Sequence, residues 1–307
     1  MSPPLNKNFI PMHGQKVALA PNIHRVTANN VNAFTDQGTN SYLIGQNTLA
    51  IIDPGPDDDS HFNALLKAID NRPVSHILIT HSHKDHSALA PRLAKHVDAP
   101  ILAEGPTRYK RAPFPEELTP LDAGSDLDFT PDINLKDGEI IKGDNWCLKG
   151  ITTPGHMTNH MVFALLKPNN DETGIVFTGD HVMAWATTVI APPEGNMHDY
   201  FNSLDKLLLR DDLIYYPGHG GPVHKPRAYV RALKAHRKMR ERAILQQIQN
   251  GKHTIADIVD IIYRDLDIKL RRAAQLSVFA HLEDLVERKL VQTTGTPRFN
   301  SIYTLSA

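Results

Sequence analysis

Residues 80–86 read Thr80-His81-Ser82-His83-Lys84-Asp85-His86 and follow the apolar run His76–Ile79. Ser87–Lys95 then has the apolar spacing of a helix. Four metal-competent side chains fall within six residues. His81 and His83, two apart, point to the same side of an extended segment, whereas Asp85 and His86 sit where the chain turns into a helix and aim at a second point. Imidazole nitrogen and carboxylate oxygen suit zinc or a related first-row metal. An isolated histidine such as His76, His96 or His236 is read as a surface or core residue; the complete cluster after a strand is read as a ligand set. The chain has 17 histidines in 307 residues, so this crowding is where function is sought.

Outward from that cluster, short apolar runs bounded by Gly, Pro, Asp and Asn predict buried strands. They lie at Tyr42–Gly45, Thr48–Ile52, His76–Thr80, Pro100–Ala103, Trp146–Thr152, Met161–Leu166, Ile175–Phe177 and Leu213–Tyr216. Helices are predicted at Ser60–Ile69, with Ser60 as N-cap, at Ser87–Lys95 and at Met197–Leu208. Strands alternating with helices indicate an α/β layered domain. After Gly221 the texture changes to a long helix, Pro226–Asn250, stopped by Gly251. Two further helices (Thr254–Tyr263 and Ala273–Leu290) and a strand-turn-strand ending at Leu305 follow, the order of a winged helix. The division expected is an α/β domain over 1–225, a connecting basic helix over 226–250 and a winged-helix domain over 251–307.

Composition narrows the classes. Hydrophobic residues at 41% and charged residues at 22% supply a sizeable core and exclude wholesale disorder. With 33 Lys+Arg against 34 Asp+Glu, the chain is not a general nucleic-acid coat, although a local basic face remains open. The single cysteine, Cys147, excludes an internal disulfide and a Cys-only zinc site and is read as a packed core thiol. No apolar run reaches the length of a signal peptide or a membrane span, so a soluble, cytoplasmic protein with no membrane partner is expected. Oligomeric state is left open.

The His81–His86 segment resembles the second motif of the metallo-β-lactamase fold superfamily, and resemblances to its other motifs follow in order. They are Asp53 in Ile51-Ile52-Asp53-Pro54-Gly55, His156 in Thr153-Pro154-Gly155-His156, Asp180 in Phe177-Thr178-Gly179-Asp180, and His219 in Tyr216-Pro217-Gly218-His219. The resemblance implies a four-layer αββα sandwich. It implies that His81, His83 and His156 hold one metal and Asp85, His86 and His219 the other, with Asp180 bridging. The cofactors would be two Zn2+, with iron or manganese also suited to the set. A hydroxide shared by the metals would attack a carbonyl or phosphorus centre, with Asp85 a ligand and candidate proton shuttle. Asp53 would be structural. His160 is open between a place behind the ligands, a substrate hydrogen bond and a plain structural role, and His181 is read as a residue behind the ligands or in the packing rather than as a ligand.

Within the superfamily, similarity to the β-lactamase-like protein 2 group runs over nearly the whole chain. It includes Gln37-Gly38-Thr39-Asn40-Ser41-Tyr42-Leu43, Gly155-His156-Met157-Thr158-Asn159-His160-Met161, the helix carrying His236-Arg237 and Arg240-Glu241, and the terminal winged helix. Met157 departs from the threonine commoner in this motif. Thr187–Pro193 resembles the group's loop beside the bridging aspartate, so Thr187 and Thr188 are candidate substrate contacts, together with Thr39, Asn40 and Tyr42. A turn-forming role for Gly38–Ser41 is the alternative.

Three functions stay in view. The first is a dinuclear hydrolase of an ester, thioester or lactone, taking a small acyl substrate. The second is an endoribonuclease using the same site on single-stranded RNA, because Lys225–Arg242 holds eight Lys/Arg against Glu241 alone. The third is a winged-helix nucleic-acid-binding regulator with a non-catalytic metal domain. For the first two, His83→Ala or Asp180→Ala should abolish turnover and leave the fold largely intact. Activity retained in a variant that metal analysis shows to lack both ions would overturn the metal mechanism.

Overall fold

The computed structural model describes residues 3–115 and 124–306. The first sheet has seven strands in sequential order: β1 (Val17–Ala20), β2 (Ile23–Thr27), β3 (Asn40–Ile44), β4 (Leu49–Ile52), β5 (Val74–Leu78), β6 (Ile101–Ala103) and β7 (Ile133–Asn134). It is antiparallel from β1 to β4 and parallel from β4 to β7. The parallel crossovers carry α1 (Asp59–Ile69), then α2 (Lys84–Ser87) and α3 (Ala90–Val97). The second sheet has six strands: β8 (Ile140–Lys142), β9 (Cys147–Thr152), β10 (Met161–Leu166), β11 (Glu172–Gly179), β12 (Ile214–Pro217) and β13 (Val223–His224). Only β11 and β12 pair in parallel, and α4 (Met197–Leu208) connects them.

Side-chain alternation sorts the apolar residues into layers. Leu49 and Ile51 of β4 face outward with Leu65 of α1 and Leu93 of α3. Ala50 and Ile52 face inward, where Tyr42 and Leu78 meet Phe163 and Phe177 of the second sheet. On the far side, Val162 and Val176 pack beneath Leu204 of α4 and Val230 of α5 (Pro226–Gln249). The result is the four-layer αββα sandwich. Both faces of β4 and β10 are covered, which is why these strands read as continuous apolar runs.

Local chemistry moved some predicted boundaries. Asp58, not Ser60, caps α1, its carboxylate accepting the His61 N–H at 2.8 Å. The helix expected over Ser87–Lys95 is broken: α2 ends at Ser87, and α3 restarts with Pro91 in its first turn, where the missing N–H costs nothing. Strands β1, β2, β7, β8 and β13 were not predicted. Of these, β7 and β13 have two residues each, too few to show a pattern, whereas β1 (Val17-Ala18-Leu19-Ala20) is a short apolar run that was passed over.

The C-terminal part consists of α6 (Ile255–Ile262), α7 (Arg271–Glu287) and the hairpin β14 (Val291–Gln292) and β15 (Thr304–Leu305). Helix α5 serves two cores. Its Tyr229, Val230 and Leu233 belong to the core outside the second sheet, while Ile244 and Ile248 pack with Ile258, Phe279, Leu282 and Tyr303. At 24 residues it is about 36 Å long. Helix α7 packs against both α4 and α6, and none of its residues from 271 to 286 is exposed. Among the described residues no helix is long and apolar enough to cross a membrane. Phe279→Ala should cost about 3–5 kcal/mol, read as a shift of the urea midpoint; a loss under about 1 kcal/mol would mean that this second core is not close-packed.

Candidate metal centre

The loops at one edge of the two sheets carry the titratable residues. Asp53 follows β4, His81–His86 follow β5, Asp180 follows β11 and His219 follows β12, while His156 lies between β9 and β10. Two glycines let these loops close on one another. A Cβ on Gly218 would stand 2.5 Å from His86 Cε1 and 2.7 Å from Asp180 Oδ1. One on Gly179, at φ +46°, would stand 2.6 Å from Thr80 Oγ1.

The donors form two groups, His81 with His83, His156 and Asp180, and Asp85 with His86 and His219. In the first, His83 Nδ1 lies 3.0 Å from His81 Nε2 and 3.1 Å from His156 Nε2, and Asp180 Oδ2 is 3.8 Å from His156 Nε2. In the second, His219 Nε2 lies 3.2 Å from His86 Nε2 and 3.1 Å from Asp85 Oδ2. Asp180 faces both groups, with Oδ2 3.4 Å from His219 Nε2 and Oδ1 3.5 Å from His86 Nε2. Ligand atoms about 2.0–2.1 Å from a tetrahedral zinc are about 3.3 Å from one another. The donor spacing therefore fits metal ions, as does Asp180 Oδ1, which is buried without a hydrogen-bond partner.

The remaining ring nitrogens face acceptors, which selects the nitrogen left for the centre. His156 Nδ1 lies 2.7 Å from the Val189 carbonyl, His86 Nδ1 2.9 Å from Asp53 Oδ2, and His81 Nδ1 3.0 Å from Thr80 Oγ1. His219 Nδ1 faces the Gly38 carbonyl at 3.3 Å, and His83 Nε2 faces Glu194 Oε2 at 3.7 Å. Asp53 also accepts the Thr80 N–H at 2.8 Å and its hydroxyl at 2.7 Å.

Electrostatics divide the cluster. Burial and the neighbouring imidazoles hold His81 well below its ordinary range, and burial with His83 lowers His156 to about 4. Burial opposes charge on His86 as well, yet Asp85, Asp180 and Asp53 raise it to about 9. His219 is raised well above its usual value against the same burial, chiefly by Asp180 and Asp85. Both carboxylates are held below the usual range against burial, Asp85 by His86 and Asp180 by His219 first. The acidic side of the centre thus demands positive charge.

His160 is fully buried, stacks on His81 at 5.0 Å between centroids, and accepts the Asp180 N–H at 3.3 Å. It lies behind the His81 ring and the Asp180 backbone, with no exposed surface. His181 packs edge-on against Tyr200, and Cys147 is a buried free thiol, both as expected. The residues expected to touch substrate divide. Asn40 donates to the Pro217 and Gly220 carbonyls at 3.1 and 3.0 Å, and the Tyr42 hydroxyl donates to Pro217 at 2.6 Å. The Thr188 hydroxyl donates to the Asp180 and His181 carbonyls at 2.7 and 3.0 Å. All three are buried, and these polar atoms are spent on backbone carbonyls of the loops that carry Asp180 and His219. Thr39 is also buried, with its hydroxyl 3.4 Å from Asp85 Oδ2, and Thr187 is half-buried. Met157 is fully enclosed.

Sequence reasoning missed Glu194. It is 7% exposed, accepts the Ser125 hydroxyl at 2.7 Å and stands behind His83, with Oε1 unpartnered. A carboxylate after Pro192-Pro193 belongs to no spacing pattern, and its proximity to the Asp180 loop was the one available signal. Solvent reaches the centre at the side chains of His83 and Asp85, 21% and 26% exposed.

A model of the metallo-beta-lactamase superfamily matches residues 34–219, and one of the beta-lactamase associated winged helix domain matches residues 254–298. A beta-lactamase-like protein 2 homolog of Drosophila melanogaster is 29% identical over 298 residues, covering 88% of this chain and 91% of the relative. An atrochrysone carboxyl ACP thioesterase of Paecilomyces divaricatus is 28% identical over 286 residues, covering 89% and 81%. The crystal structure of a beta-lactamase domain protein from Burkholderia ambifaria superposes with a TM-score of 0.77 at 22% identity, covering 97% and 96%, a likeness of fold.

Asp53→Asn keeps the side-chain volume but removes the charge behind His86. It should weaken metal retention about 10- to 100-fold in chelator competition while the melting temperature stays near that of the parent. Unchanged retention would show that His86 is oriented without it.

Proposed function

The chain belongs to the metallo-beta-lactamase superfamily, and we propose that it is a dinuclear metallohydrolase of acyl substrates, a thioester first and an ester or lactone by the same chemistry. The carrying observation is the convergence of seven donor atoms at the sheet edge, in two groups, with Asp180 of the first also facing His86 and His219 of the second. His81, His83, His156 and Asp180 would hold one ion and Asp85, His86 and His219 the other. Zinc fits these donors, and iron or manganese suits the same chemistry. Bound there, such ions lower the pKa of water and polarise a carbonyl. The chain's own residues do the rest. Asp53 orients His86, Glu194 stands behind His83, and His160 fixes the Asp180 backbone. Asp85, at the exposed side of the centre, is placed to take up a proton, with the Thr39 hydroxyl beside its carboxylate.

Two features support an acyl substrate over a nucleic acid. The basic residues of α5 are largely engaged within the molecule: Arg227 pairs with Asp211, Lys234 with Asp205 and Lys238 with Glu241, and Arg240 lies over Tyr263. In addition, α7, the helix that a winged helix would lay in a groove, presents no exposed residue over 271–286. The thioesterase named among the relatives supplies the class of substrate to try first. For dissecting the chain we keep the division 1–225, 226–250 and 251–307, with α5 shared.

Elemental analysis should find about two metal ions per chain. Acyl thioesters, lactones and single-stranded RNA are then assayed side by side. Thioester cleavage that disappears in His83→Ala is the expected result. Cleavage of RNA alone would move the protein to the ribonucleases, and a metal-replete protein inert towards every acyl substrate would overturn the proposal.

A further inference from the structure

We infer that Arg237 is a positioning residue for the metal centre, through which the C-terminal helices hold the turn supporting both His156 and Asp180. Arg237 lies midway along α5 and is 3% exposed. One guanidinium nitrogen donates to the Thr188 carbonyl, and the other donates to the Ser277 hydroxyl of α7 at 3.4 Å. Its plane lies over the Tyr200 ring at 5.5 Å, and the Tyr200 hydroxyl donates to the His181 carbonyl at 3.1 Å.

The gripped segment has two outlets towards the centre. The Thr188 hydroxyl donates to the Asp180 carbonyl, and the Val189 carbonyl receives His156 Nδ1. Two adjacent residues thus set the backbone of one ligand and the ring orientation of another, and Arg237 fixes their peptide. Among the described residues Arg237 forms no ion pair. A buried guanidinium is costly where its donors go unsatisfied; here a backbone carbonyl and a hydroxyl receive one bond from each terminal nitrogen, while Nε is buried without a hydrogen-bond partner. The planar fork serves α7 and the turn at once, which a lysine ammonium on a flexible stem would do less well. The winged helix thereby becomes part of the hydrolytic site's scaffold.

The inference rests on the metal-centre reading, so its test has one readout that needs metal and one that does not. Full-length Arg237→Gln, Arg237→Lys and Thr188→Val proteins are compared with the parent. Zinc retention is measured against a chelator, and amide hydrogen exchange of the 181–190 segment is measured after metal stripping. Arg237→Gln should lose zinc about 10- to 100-fold more readily and exchange faster over 187–190, with Lys restoring part of both. Thr188→Val, nearly isosteric, removes the hydroxyl link from the gripped turn to Asp180 and should show the same direction; if Arg237→Gln does not fold, Arg237→Lys decides the matter by losing zinc and exchanging faster than the parent. Parental zinc retention and exchange in folded Arg237→Gln, or in Thr188→Val, overturns the inference. Should the parent itself hold no zinc, the metal reading fails, and exchange alone judges Arg237.

Discussion

Asp53 ends a central strand in a left-handed conformation, φ 50°, and points its carboxylate into the molecule. One oxygen takes the Thr80 N–H; the other takes the Thr80 hydroxyl and faces His86 Nδ1. Three contacts thus fix where the chain leaves β5, and with it the direction of every side chain from His81 to His86. A carboxylate only 2% exposed is tolerated because its partners include the peptide N–H that a strand end leaves unpaired. The donors from the second sheet are then aligned against an element already held. Gly218 and Gly179 complete the closure, because the volume a side chain would fill is taken by His86, Asp180 and Thr80.

The sandwich and the donor set were legible because each rests on local pattern. Met161–Leu166 and Met197–Leu208 fall where the apolar spacing put them, and the histidine motifs mark strand ends. The two-residue edge strands β7 and β13 were too short to show that pattern. Harder to read were the groups that act across the chain. Asn40, Tyr42 and Thr188 look like substrate contacts in one dimension, since they lie beside motifs. In three dimensions their polar atoms are spent on carbonyls up to 180 positions away, and a buried donor must be satisfied somewhere. Glu194 was missed for the converse reason, since only the folded loop brings it behind His83.

The basic stretch over Lys225–Arg242 shows how composition misleads about surfaces. In sequence it is a run of positive charge; in the structure much of that charge faces Asp211, Asp205, Glu241 or an aromatic ring. Arg237 faces inward altogether. One helix thus neutralises surface acids, packs against two cores and reaches the turn beside Asp180.

The first sheet brings His81, His83, Asp85 and His86, and the second brings His156, Asp180 and His219. The distance between these sets is therefore governed by the thickness of the apolar layer between the sheets, where Tyr42 and Leu78 meet Phe163 and Phe177. Protein interiors are close-packed and compress little. The layer acts as a spacer block, converting side-chain volume far from any polar group into a gap of a few ångströms at the rim. Drift in the size of those core residues is consequently filtered by the tolerance of the donor geometry, and a stretch of chain with no chemistry of its own inherits the precision that the centre demands.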